Sequence, residues 1–160
     1  GEISGVHALS SRHARKFEVE DTVAINLAFT SGALGSFLLS DVAASARSWE
    51  QTSQENPIYP TYGDEDCYHL AGTRGSLAIP TMRLKRVPND QEPSWTRPLI
   101  EETLTVERTD PLTAQLDNFL DVIEGTADPV VSAYDGLQNL RVIEAIQQSA
   151  QSQSMVWLND

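Results

Sequence analysis

Hydrophobic and polar positions alternate most cleanly between residues 22 and 29. Val23, Ile25, Leu27 and Phe29 fall on one side of an extended chain, and Thr22, Ala24, Asn26 and Ala28 on the other. That period of two predicts a β-strand with one bulky and one small face. Thr30-Ser31-Gly32-Ala33 supplies a turn and Leu34 to Asp41 a second strand, so the pair reads as a hairpin. Glu2 to Ser10 reads as an earlier strand. A polar connection over Ser11 to Glu20 follows it and gathers Arg12, Arg15 and Lys16. Beyond the hairpin the pattern breaks. Ala43 to Asp66 carries Asn56-Pro57, Tyr59-Pro60 and Tyr62-Gly63, which are turn or extended chemistry. A loop above about 15 residues is unusual in a compact domain and often functional.

Short strands are predicted at Cys67 to Gly72 and Ser76 to Pro80, joined by Thr73-Arg74-Gly75. Pro80 marks a strand end or an edge. Arg83 to Val87 and Leu99 to Arg108 add strands around a loop with Trp95. The pattern then turns helical. Asp110-Pro111 is a helix start, with Leu116, Phe119, Leu120 and Ile123 on one face and Gly125 at the end. Ser132 opens a second helix, with Asp135 in a capping-box position. Leu137, Leu140, Ile143, Ala145 and Ile146 are its expected apolar stripe. Gln147 to Gln153 reads as a solvated end, and Met155 to Leu158 as a last strand. Strands precede helices and hairpins dominate. The fold class is therefore α+β: an open, mostly antiparallel sheet with helices packed on one face.

Composition narrows the function classes. The chain has 160 residues, enough for one domain over 1–160 with a core of its own. A net charge of −12 opposes binding to nucleic acid and to anionic membrane surfaces. Apolar runs stop at three or four residues, well short of the roughly twenty a bilayer span needs. Cys67 is the only cysteine, so neither an internal disulfide nor a cysteine metal cluster is available, and a reducing cytoplasm is the compartment expected. Gly1 is followed almost at once by a strand-like segment, which reads as the middle of a longer protein.

Few residues signal chemistry. Gly32-Ala33-Leu34-Gly35 lies in a hairpin rather than between a strand and a helix, so it reads as turn glycines and not as a phosphate cradle. His7, His13 and His69 lack metal-ligand spacing. Asp64, Glu65 and Asp66 read as a solvated acidic loop, with acid–base work by paired carboxylates as the alternative. Arg12, Arg15 and Lys16 read as ordinary surface balancing the acidic charge, with an acidic sugar as the alternative partner. The long loop stands out. Trp49, Tyr59 and Tyr62 accompany Gln54 and Asn56 there. Rings cover C–H faces and amides satisfy hydroxyls, which suits a polyhydroxylated ligand. The plainer reading is a loop pinned to the core by its aromatics.

Several segments together resemble the C-terminal domain of the glucose–fructose oxidoreductase, inositol dehydrogenase and rhizopine catabolism (Gfo/Idh/MocA) oxidoreductases. They are Val19-Glu20-Asp21-Thr22 leading a strand, Phe29 to Gly35, Gly72 to Leu77 followed by Pro80, Gln115 to Ile123, and Pro129 to Ile146 around Ser132-Ala133-Tyr134-Asp135-Gly136. The resemblance implies a parent with an N-terminal Rossmann domain for NAD or NADP. Its chemistry would be hydride transfer at a sugar, polyol or cyclitol hydroxyl carbon. No cofactor is expected in this chain. The family's Glu-Lys-Pro lysine and Asp/His pair would lie upstream of Gly1, so no catalytic residue carries over and the isolated chain is expected to be inactive. Tyr62-Gly63 resembles a substrate-side Tyr-Gly, which makes Tyr62 the first substrate-binding candidate. Asp64 follows as a hydroxyl acceptor, and Trp49 and Asn56 are added on composition. Small-molecule substrate contacts and a homo-oligomer through a sheet face are implied. The alternatives are a ligand-sensing or regulatory protein on the same scaffold, and a plain dimerisation module.

Overall fold

A computed structural model describes residues 1–158. In chain order the elements are β1 (Ile3–Ser11), β2 (Thr22–Phe29), β3 (Leu34–Ser40), α1 (Trp49–Ser53), β4 (Tyr68–Gly72), β5 (Gly75–Ile79), β6 (Arg83–Arg86), β7 (Ile100–Thr103), α2 (Pro111–Glu124), α3 (Ala133–Ser152) and β8 (Val156–Trp157). They form two compact units, one of residues 1–44 with those from 127 onward, the other Ser45–Thr126. This is an α+β fold, with every strand pairing antiparallel.

The first unit is a four-stranded sheet in the order β3-β2-β1-β8. Register places Val6 opposite Leu27, Ala8 opposite Ile25, and Phe37 opposite Ile25 on the other side. Cross-strand partners share a face, so the bulky positions of β2 align with those of β1 and β3. α3 packs on that face. Val6, Ala8, Ile25, Leu27 and Ala145 form the buried cluster, with Val142, Ile146 and Ala150 against it. The small face of β2 is on the opposite side from α3. There Leu9 and Leu38 flank Ala24 by register, and both are exposed.

The helix stripe holds only in part. Ala145 and Ile146 meet the sheet as expected, but Leu137, Leu140 and Ile143 are exposed, and positions 142, 149 and 150 complete the buried side. Both sets repeat at helical spacing, and α3 carries more apolar surface than one stripe. Small Ala145, Ser149 and Ala150 let the helix approach the sheet closely. Gln147 to Gln153 is accordingly not a solvated end throughout, because Ser149 is fully buried. Its hydroxyl accepts from the Ala8 N–H at 2.8 Å and donates to the Ser154 carbonyl at 2.6 Å. Among the described residues β8 pairs with β1 at Gly5 and Val6, and the Leu158 N–H donates to the Ser4 carbonyl at 2.9 Å. Beyond that point Ser149 takes the place of a strand neighbour.

The β1–β2 connection is built on Asp21. Its buried carboxylate accepts the Ala14 and Arg15 N–H groups at 2.9 and 3.0 Å. The Arg15 backbone bond holds its carboxyl below the usual range, despite burial acting the other way.

The second unit holds a meander, β4-β5-β6-β7. Asp66 enters it as a buried strut. Its carboxylate accepts the Thr81 N–H at 2.9 Å and an Arg83 guanidinium N–H at 2.6 Å. Burial raises its carboxyl, but the bonds from Arg83 and Thr81 outweigh that and the net direction is down. α2 starts and stops where expected. Asp110 accepts the Leu112 N–H, and Gly125 closes the helix at φ 73°, a conformation that favours glycine. Leu116, Phe119, Leu120 and Ile123 lie along α2 and are all exposed. The Leu99 to Arg108 strand is shorter than expected, with only Ile100–Thr103 paired.

Candidate functional site

The long loop contains a helix that the sequence reading missed. Ser48 caps α1 by accepting the Gln51 N–H at 3.2 Å. Ser48-Trp49-Glu50-Gln51 has the Ser-x-x-Gln spacing of a capping box, and that was the available signal. Thr52, fully buried, donates its hydroxyl proton to the Ser48 carbonyl at 2.7 Å, and its oxygen lies 3.5 Å from the Cys67 sulfur. These contacts tie α1 to the approach of β4.

The C-terminal end of α1 is held from far away in sequence. Arg108 donates to the Ser53 carbonyl at 3.2 Å and to Gln54 Oε1. A cation at a helix C-terminus also complements the helix dipole. Gln54 adopts a left-handed φ of 63° and lays its amide against Gly63, where an added Cβ would sit 2.7 Å from Nε2. The Tyr62 N–H donates to the Gln51 carbonyl at 2.8 Å, and the Glu65 N–H to the Tyr62 carbonyl at 3.2 Å. Arg47 pairs with Glu65 at 3.0 Å. Tyr62-Gly63 is therefore a fixed turn on α1. The bracing residues Arg108, Gln54 and Arg47 carry no local motif that would have revealed them.

The four predicted residues fare differently. Trp49 donates its indole N–H to Glu55 at 2.7 Å, and its ring lies 6.0 Å from that of Tyr68, tilted by 46°. Asn56 spends its side-chain oxygen on the Ile58 N–H at 3.1 Å, an Asx turn. Both bind the loop to itself. Tyr62 is exposed and its phenol has no protein partner among the described residues. Asp64 lends its backbone carbonyl to Arg83 at 3.2 Å, and its exposed carboxylate, which acts on the Arg83 charge, makes no hydrogen bond or ion pair among the described residues. No hydrogen bond, ion pair or ring contact joins any two of the four among the described residues. Asp64, Glu65 and Asp66 differ in their ion pairs, Glu65 with Arg47 and buried Asp66 with Arg83, although all three charges act on Arg83.

The starts of α2 and α3 are closed by the chain's own side chains. A diphosphate seeks free N–H groups at a helix start. At α2 the Asp110 carboxylate takes the Leu112 N–H. At α3 Ser132 and Asp135 close a complete capping box. Gly32 and Gly35 stay in the β2–β3 hairpin. Among the described residues no helix is long and apolar enough to cross a membrane.

A search of curated proteins finds no match. Solved structures do match in fold. An NAD-binding protein from Listeria innocua superposes with a TM-score of 0.66 at 20% identity, over 98% of this chain and 41% of its own. An aldose–aldose oxidoreductase from Caulobacter crescentus, crystallised with glycerol, gives 0.63 at 24%, over 98% and 42%. The WlbA dehydrogenase from Bordetella pertussis, in complex with NADH and UDP-GlcNAcA, gives 0.60 at 20%, over 100% and 40%. The chain thus spans about two fifths of the length of these structures. The family model for the oxidoreductase C-terminal alpha/beta domain matches residues 2–158. With the antiparallel sheet, its helix on the bulky face and the motifs in order, the chain belongs to the Gfo/Idh/MocA oxidoreductase family as its C-terminal domain.

Proposed function

We propose that this chain is the substrate-side and subunit-contact domain of an NAD(P)-dependent oxidoreductase. The enzyme would transfer hydride at a hydroxyl-bearing carbon of a sugar, polyol or cyclitol. Residues 1–160 would work as one domain beside a separate dinucleotide-binding domain, in a reducing cytoplasm that keeps Cys67 a thiol. The carrying observation is the Tyr62-Gly63-Asp64 turn. It is braced on α1, yet the phenol and the carboxylate are exposed and make no hydrogen bond or ion pair among the described residues. A phenol can donate or accept and a carboxylate accepts, so the pair would orient neighbouring hydroxyls. Trp49 and Asn56 would hold that turn in place and touch substrate only at its margin. Two relatives of the same fold were crystallised with glycerol and with UDP-GlcNAcA, which agrees with hydroxyl-rich ligands. The exposed row Leu9, Ala24 and Leu38 on the small face of β2 would meet a second copy.

The test uses the full-length protein that carries this chain. Tyr62→Phe removes one neutral hydrogen bond worth about 1 kcal/mol, so kcat/KM should fall about fivefold. Asp64→Asn should fall further, because bonds to a charged group are stronger. Unchanged kinetics in both variants would take the turn out of the site.

A further inference from the structure

The basic connection between β1 and β2 is not explained by charge balance. Arg15 is balanced: it pairs with Asp41 at 2.9 Å and donates to the Asp41 carbonyl. Arg12 and Lys16 are not. Among the described residues neither makes an ion pair or side-chain hydrogen bond, in a chain whose net charge is −12. Both line one open hollow of about 660 Å³ with Ser11, His13, Phe17 and Glu18. The backbone beneath is fixed. The Lys16 N–H donates to the Arg12 carbonyl at 2.9 Å, the Asp21 N–H to the Ser11 carbonyl at 2.8 Å, and the buried Asp21 carboxylate takes two more N–H groups. Ordering this loop therefore costs a ligand little.

We propose that this hollow binds the phosphate group of a phosphorylated small molecule, with Arg12 and Lys16 on the phosphate and Phe17 against the rest of the ligand. A guanidinium and an ammonium supply charge-assisted donors suited to phosphate oxygens. The His13 ring and the Ser11 hydroxyl add donors at the same rim. Phe17 is 60% exposed, an apolar surface open to the C–H faces of a sugar. Glu18 is the one acid among the lining residues and opposes an anion. The site is independent of the Tyr62 turn, and its test does not use the oxidoreductase reaction.

The test is a titration of the isotope-labelled chain by two-dimensional NMR at constant ionic strength, with inorganic phosphate, glucose 6-phosphate and, as control, chloride. Saturable amide shifts confined to residues 11–18 are expected for both phosphates and not for chloride, with the hexose phosphate tighter. Arg12→Ala with Lys16→Ala should weaken binding at least about tenfold, the loss of one charge-assisted bond or more. Glu18→Gln should tighten it. These side chains are exposed, and unshifted core amides would show that the fold is kept. Shifts that do not saturate, that chloride reproduces, or that survive the double substitution overturn the proposal. Equal affinity for the two phosphates would assign the site to free phosphate and overturn the part given to Phe17.

Discussion

Ser149→Ala is the sharpest probe of how α3 holds the sheet. The substitution removes one oxygen and leaves the rest of the packing in place. Ala8 is fully buried, so its N–H loses the 2.8 Å bond to Ser149 with no water to replace it. A stranded buried donor costs about 1–3 kcal/mol. The Ser154 carbonyl also loses its donor, but Ser154 is exposed and water takes over. That bond therefore adds only about 0.5 kcal/mol. Alanine is the better helix former by roughly 0.5 kcal/mol, which offsets that addition. The expected net loss is about 1–3 kcal/mol, read as a lower urea midpoint at unchanged slope. Ser152→Ala is the control. Ser152 bonds the Gln148 carbonyl and the Ser154 hydroxyl at the surface, and its loss should stay within about 0.5 kcal/mol. Hydrogen exchange at the Ala8 amide should quicken in Ser149→Ala alone. Equal midpoints for the two variants would refute the claim that Ser149 stands in for a strand.

Other outcomes follow from packing and charge. Gly5→Ala would place a Cβ 2.7 Å from Met155 Cε and from Trp157 Cε3, and should cost about 1–3 kcal/mol with a change in Trp157 emission. Gly136→Ala meets nothing within 4 Å inside α3 and should stabilise by about 0.5–1 kcal/mol, so the two glycines should respond with opposite sign in thermal melts. Asp66 has its carboxyl lowered in the folded state, so its contribution is complete at neutral pH, above the unfolded value of about 3.9, and is lost as pH falls below that through the folded value. Asp66→Asn should cost about 1–2 kcal/mol at pH 7, the low end for a charged bond because Arg83 is half exposed. It should also flatten the acid limb of urea midpoints from pH 6 to 3. An acid limb as steep as in the parent chain would show that Asp66 does not carry it.

Much of this protein was legible as pattern. The period of two over Val23 to Phe29 placed β2 and its bulky face, because side-chain alternation in a strand is a local geometric fact. Asp110-Pro111, Gly125 and the Ser132/Asp135 box placed the ends of α2 and the start of α3, because a cap bonds its own backbone within three residues. The ordered motifs pointed to the family that the comparisons show. Contacts between distant residues were not legible. Ser149 lies 141 residues from the Ala8 amide it satisfies, and Arg108 lies 54 from Gln54. No local rule links such pairs. Which part of the apolar surface of α3 is buried fell to the sheet: Ala145 and Ile146 of the expected stripe meet it, and small Ser149 and Ala150, rather than Leu137, Leu140 and Ile143, complete the close face. The separation of Tyr62 and Asp64 from Trp49 and Asn56 arose in the same way. The family resemblance proposed Tyr62 and Asp64 and composition added Trp49 and Asn56, and only the hydrogen bonds of the folded loop show that the latter two are committed to its structure while the Tyr62 phenol has no protein partner among the described residues.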